Sequence, residues 1–444
     1  MPRKISTDIA LLVFLSIIVG AIIFPILGNM PPTDYESAML QHIADTGNAG
    51  SIAGIFHSGG NIFVGAYVHF AMLLKGLMPG LDGIMALRLP GAATVMILTL
   101  CLFRFGGRID RYSSSFLASL LFLSSALIMR MTFNASVVIL PAALFIFALM
   151  SLYHWLHRLD KRTFWLVATS TAIASVIIGA TAPISIALMA YVFLIASRHR
   201  TPQSFAIITA ALLVACCIAF LIIYIITGDT STAMDIFDIR QQLSLLHGEE
   251  YSTTHIFVYY IVFAIFPWSI PLIISLPWLI RRPGNLYRRF LGLSLLQRYS
   301  VIIFLFSLPF LFFFTHLSLV LIVASMFFNM PLIGRYLLMQ SEHHHRVWKI
   351  SGYAFACAIA ILLVSFIIMS AGTEIHILGT TITLAGGKTG PWGITLTVMA
   401  FFGIYTLWRN ARSIGQNNRF LYNIIFLYFC SALLCTGYIL PRLS

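Results

Sequence analysis

Apolar residues occur along this chain in long runs, each closed by a short polar stretch, so run length carries the reading. A helix needs roughly 20 predominantly apolar residues to cross a hydrocarbon core about 30 Å thick. Runs of about that order occupy 9–27, 84–103, 114–129, 135–155, 164–179, 183–196, 205–226, 256–280, 299–314, 317–334, 350–370, 392–408 and 420–440. They predict an all-α, polytopic transmembrane protein of about thirteen spans, forming a single integral membrane domain over residues 1–444. Two stretches between runs are long enough to hold a site: an external loop at 28–80 with interfacial helices, and a second external loop at 228–254.

One further run, 62–78, is interrupted by Gly65, His69, Lys75 and Gly76. Charge decides how to place it. If it lies along the interface, 21 of the 27 Lys and Arg residues collect on one side, beginning with Arg3 and Lys4 and including the cluster Arg104, Arg108 and Arg111. That face is cytoplasmic by the positive-inside rule. The remaining cations, Lys75, Arg88, Arg130, Arg240, Lys388 and Arg442, fall outside together with ten of the fourteen acids, among them Asp34, Glu36, Asp45 and Asp235. If 62–78 crossed instead, every later loop would invert and the bias would disappear.

Composition agrees with this class: 59% of residues are hydrophobic and 9% charged, which excludes a soluble domain of ordinary make-up. The formal charge of +13 then reads as topology and attraction to anionic lipid, with no nucleic-acid partner. The N-terminal stretch reads as an uncleaved first helix with a cytoplasmic N-terminus, since no small-residue cleavage site follows it. The six cysteines lie in or at the ends of spans and form no disulfide framework or metal-ligand spacing. Consecutive side chains on a helix diverge, so Glu342-His-His-His345 reads as a solvated inner loop and not a metal site.

The stretch after the first run, Pro31-Pro-Thr-Asp-Tyr-Glu36 continuing through Gln41-His-Ile-Ala-Asp-Thr-Gly-Asn48, resembles the opening external loop of the GT-C membrane glycosyltransferases. Within that superfamily it looks most like the branch of lipid A aminoarabinose transferases and protein O-mannosyltransferases. Arg88-Leu-Pro-Gly-Ala92 at the start of the second span, Phe105-Gly-Gly-Arg108 at its end and Phe266-Pro-Trp-Ser269 extend the resemblance. Departures accompany it. Asn134 stands where the family often has an acid, Thr181-Ala-Pro183 replaces a Lys-Gly-Pro, and Thr315-His-Leu-Ser318 occupies the place of a Lys-Leu-Pro segment.

The resemblance implies transfer of a sugar from a polyprenyl-phosphate donor to a glycan, lipid or protein acceptor at the outer, periplasmic face of a bacterial inner membrane. Asp34 matches the catalytic position, and Glu36 is the second catalytic candidate. A carboxylate there accepts the acceptor's proton as it attacks the anomeric carbon. Negative charge growing on the leaving lipid phosphate must be neutralised by cations or by a divalent metal. Lys75, Arg88, Arg130, Asn134 and Arg240 are the substrate-binding candidates. Two other readings remain: a transporter or flippase for lipid-linked glycans, and a catalytically inactive relative that serves as an assembly partner. A transporter usually carries ionisable residues at mid-membrane and internal repeats, whereas these spans are nearly free of charge away from their ends and show no repeat.

Overall fold

The computed structural model describes residues 62–196, 202–227 and 293–343 almost continuously, scattered positions between 9 and 40 and between 398 and 409, and two short strands at 375–377 and 380–382. The architecture is helical. In chain order the helices are α1 (Ile62–Leu77), α2 (Gly83–Ile109), α3 (Tyr112–Leu123), α4 (Ala126–Phe133), α5 (Ile139–Arg158), α6 (Lys161–Ile178), α7 (Thr181–Ala196), α8 (Pro202–Thr227), α9 (Leu295–Phe313) and α10 (Thr315–His343). The strands β1 (Ile375–Ile377) and β2 (Thr380–Ile382) pair antiparallel, with Ile375 opposite Ile382. This hairpin departs from the all-α expectation and falls in a Gly- and Thr-rich stretch.

Four of these helices contain spans long and apolar enough to cross a membrane: Gly83–Arg108, Ile139–Leu156, Pro202–Ile226 and Leu319–Leu337. Shorter apolar helices at Arg162–Ile178, Thr181–Ile195 and Leu295–Ser307 run between them. The expected spans 256–280, 350–370 and 420–440 lie outside the described residues. In the first run, Leu15, Val19, Ile23 and Leu27 are buried, while Ile9, Val13 and Ile17 are exposed. The two sets recur every four residues, so this helix packs one apolar stripe on the bundle and turns another outward. Apolar residues are also exposed on α8, where Leu213, Leu221 and Ile225 face away from the protein. A surface of this kind suits hydrocarbon as its solvent.

One expected span is broken. The run 114–129 is two helices, α3 and α4, bent by 62° where Ser124 and Ser125 intervene. Both hydroxyls turn back on the chain, Ser124 Oγ donating to the Leu121 carbonyl (3.2 Å) and Ser125 Oγ to the Phe122 carbonyl (2.7 Å). Serine side chains that bond the preceding turn compete with the backbone ladder and bend helices. Ser125 has left the helix, with φ −71° and ψ 141°.

Polar groups inside the bundle satisfy themselves locally. Thr94, Thr99, Thr132 and Ser300 donate to the carbonyls of Pro90, Val95, Ile128 and Leu296, each four residues back. Among lipids such bonds are favoured, because hydrocarbon offers no partner, and only Thr171 Oγ1 and Ser185 Oγ are buried without one among the described residues. Between helices, Tyr299 donates to the Leu149 carbonyl (2.7 Å) and packs edge-on against Phe193 and Phe328, fixing α9 against α5. Asn329 on α10 donates to the Ser300 carbonyl (3.1 Å) on α9.

The helix α2 makes close contacts at both of its ends. At its C-terminal end it meets α3 and α10 at close range: a Cβ on Gly106 would lie 2.7 Å from Ser115 Oγ and 3.4 Å from Pro331 Cγ. A Cβ on Gly334 of α10 would lie 3.3 Å from the Ser114 carbonyl. Small residues therefore let three helices approach backbone to backbone there. Near its start, Gly91 does the same for α1 and α4, lying under Tyr67 Oη and the Met131 carbonyl.

Candidate functional site

Arg88 sits in the second turn of α2, fully buried, with a carboxylate directly opposite. Its Nε donates to Glu36 Oε1 (2.8 Å) and its Nη2 to Glu36 Oε2 (2.7 Å), the bidentate fork that matches a guanidinium to a carboxylate. Its Nη1 donates to the Leu27 carbonyl (2.9 Å) at the end of the first apolar run. Glu36 takes one bond more: the Ala135 N–H donates to Oε1 (2.8 Å). All three guanidinium nitrogens thus have protein acceptors, and both carboxylate oxygens are engaged.

Each contact has a local cause. Four positions after Leu27 stands Pro31, which has no N–H to offer that carbonyl, and an arginine satisfies it. Ala135 follows α4, whose end is marked by the Asn134 N–H bonding the Arg130 carbonyl (3.1 Å). The Ala135 N–H then points out of the turn and reaches the carboxylate. One residue before Arg88, the Leu87 carbonyl accepts from Tyr67 Oη (2.6 Å), which docks α1 on the same part of α2. Tyr67 and Ala71 form the buried side of α1, while Phe70, Leu73 and Leu77 are exposed. That helix touches α2 and also α6, so it lies across helices of the bundle.

The sequence-derived candidates fall into three groups. Glu36 and Arg88 come together, although 52 residues separate them. Lys75 on α1 and Arg130 in the last turn of α4 have exposed side chains, and Asn134 is half-buried directly before Ala135. Asp34 and Arg240 lie outside the described residues. The structure adds three groups that the motif reading did not include: the Leu27 carbonyl, the Ala135 N–H and Tyr67. Two are backbone atoms and carry no signal in a sequence. Among the described residues no three His, Cys, Asp or Glu side chains gather as metal ligands.

A bundle of apolar helices with a buried ion pair near the start of α2 defines a polytopic, helical membrane fold. Two solved structures share that fold. ArnT from Cupriavidus metallidurans in the apo state superposes with a TM-score of 0.59 at 14% identity, over 98% of this chain and 78% of that one. The same enzyme bound to undecaprenyl phosphate gives a TM-score of 0.60 at 15% identity, over 97% and 77%. The resemblance drawn from the first external loop is thereby borne out at the level of fold and extends over nearly the whole chain. No protein-family model matches the sequence, and no curated protein matches it.

Proposed function

We propose that this chain is an integral-membrane glycosyltransferase. It takes its sugar from a polyprenyl-phosphate donor at the outer face of a bacterial-type inner membrane, with its own N-terminus cytoplasmic. One observation carries the reading: the acidic segment after the first apolar run is tied through Glu36 to α2 and to the end of α4, within a fold shared with an ArnT structure that holds undecaprenyl phosphate.

Asp34 stands two residues before Glu36 and serves as the base. The acceptor's nucleophilic atom bonds to the anomeric carbon while the bond from that carbon to the phosphate oxygen breaks, and Asp34 takes the acceptor's proton. The leaving lipid phosphate gains negative charge at that moment. Lys75 and Arg130, both exposed, are the cations assigned to meet it, together with Asn134, which follows Arg130 closely in sequence, and Arg240 of the second long loop.

The test is transfer by purified protein in lipid nanodiscs, supplied with undecaprenyl-phosphate-linked sugars and candidate acceptors. Asp34→Asn keeps the size of the side chain and removes the proton acceptor, so transfer should fall by about 10²- to 10⁴-fold while undecaprenyl phosphate still binds. Near-normal transfer by this variant would place the base elsewhere, with Asp235, Asp238 and Glu249 next in line. A wild-type protein that binds undecaprenyl phosphate yet transfers no sugar would favour the assembly-partner reading.

A further inference from the structure

We infer that Glu36 and Arg88 are a positioning pair, not a base and a phosphate ligand: their buried ion pair is the hub that holds the Asp34 segment, the end of the first apolar run and the end of α4 on α2. The inference rests on the proposed role of Asp34, and it deepens that reading by separating the acids and cations that meet substrate from those that place them.

Burial and bonding carry the argument. Both side chains are sealed, at 0% exposure for Arg88 and 1% for Glu36, so the pair presents neither charge to a ligand. A lipid phosphate could grip Arg88 only by displacing Glu36, which would leave a buried carboxylate without its counter-ion. Such a state is strongly unfavourable, because breaking a buried pair strands a desolvated charge. Proton acceptance by Glu36 is disfavoured by the same contacts: two guanidinium bonds and one N–H hold it as an acceptor.

What the pair joins is specific. It binds the carbonyl of Leu27 and the N–H of Ala135, segments 108 positions apart in numbering (135 minus 27), through a side chain on each of two further segments. Candidate substrate groups sit immediately beside these anchor points. Asp34 precedes Glu36 by two residues, Asn134 adjoins Ala135 and Arg130 stands in the last turn of the same short helix, while Lys75 lies on α1, which Tyr67 fastens separately to the Leu87 carbonyl. A residue two peptide units from a fixed point is confined to about 7 Å from it by chain length alone. The hub therefore sets where base and cations stand relative to one another, the condition for a near-attack geometry.

The experiment uses the full chain in nanodiscs with Glu36→Gln, Arg88→Lys, Arg88→Met and the Glu36→Gln/Arg88→Met double variant. Three readouts are taken: affinity for undecaprenyl phosphate, backbone hydrogen exchange over 28–40 and 130–138, and kcat and KM for transfer. A positioning pair predicts faster exchange in both segments for every single variant and a fall in kcat of about 10²-fold, with any change in undecaprenyl phosphate affinity the same for Glu36→Gln as for Arg88→Met to within about threefold. The double variant should be no worse than the poorer single variant, because both remove the same contact. Glu36→Gln keeps the shape and one acceptor, so it remains informative if Arg88→Met fails to fold.

A loss of undecaprenyl phosphate affinity of about tenfold or more with Arg88→Met, alongside unchanged or tighter binding with Glu36→Gln, would overturn the inference in favour of direct phosphate contact. Exchange confined to one of the two segments would overturn it as well. If no sugar is transferred even by the wild type, the exchange and binding readouts still decide the hub, and only the reading of Asp34 falls.

Discussion

The two ends of α2 both carry arginine, and they use it in opposite ways. At its N-terminal end, the outer one in the proposed orientation, Arg88 is sealed from solvent and bonds protein acceptors through all three of its guanidinium nitrogens. At its C-terminal end, the inner one in that orientation, Arg104 and Arg108 are exposed, and Arg108 donates to His154 Nε2 (2.9 Å) on the neighbouring α5. Close steric contact holds that end together, through Gly106 against Ser115 and Pro331. A buried charge in a membrane protein must have a dedicated partner and so specifies an arrangement. An exposed one at the headgroup level specifies only a side of the membrane.

The comparison is broken most forcefully at the outer end. Arg88→Met removes the counter-ion of a sealed carboxylate and uncaps the Leu27 carbonyl, and should cost about 3–5 kcal/mol unless Glu36 takes up a proton. Reversible unfolding in mixed detergent micelles reads this directly. Because protonation relieves the stranded charge, the deficit should shrink as pH falls. A deficit that is small and independent of pH would mean the outer end is held by packing, like the inner one.

The positions of these two ends were legible from the apolar runs, but their different physics was not. Runs mark where hydrocarbon begins and stops, so 84–103 located α2, while the helix itself continues to Ile109 because backbone hydrogen bonding outlasts hydropathy. The same limit hid the bend in 114–129: its residues stay apolar on both sides, and only the Ser124-Ser125 pair signals it. An arginine at membrane depth announced that it needed a partner, yet nothing local identifies Glu36 from a distance of 52 positions. The motif resemblance placed both residues in a site and assigned them to chemistry. Geometry joins them in a buried ion pair, the contact on which the positioning inference rests. Asp34, the residue on which the catalytic expectation rests, lies outside the described residues, so its role remains a matter for the transfer assay.

A smaller effect is expected at the close contact of the inner end. Gly106→Val would drive a branched side chain into Ser115 and Pro331, with the Ser115 hydroxyl already engaged on the Phe103 carbonyl. Overpacking of this kind costs about 1–3 kcal/mol. The same unfolding assay should register it without pH dependence, since no charge is involved. Undecaprenyl phosphate affinity should stay unchanged, because the altered contact is at the opposite end of α2 from the hub. A loss of that affinity would show that the two ends are mechanically coupled along α2, and the contrast drawn between them would be too sharp.

The smallest effect belongs to the exposed arginines. Arg108→Cys removes one hydrogen bond to a solvent-facing histidine, and substitutions at such positions usually change stability by no more than about 0.5 kcal/mol. Its value lies in location. With the native cysteines replaced, a thiol at this position should react with a membrane-impermeant maleimide only from the cytoplasmic side of sealed vesicles, because 21 of 27 cations gather on that face when 62–78 lies in the interface. Labelling from the outside alone would invert the whole assignment. The exposed arginines would then sit on the face proposed for sugar transfer, and the Glu36–Arg88 hub would face the cytoplasm, where a periplasmic acceptor could not reach the Asp34 segment it holds.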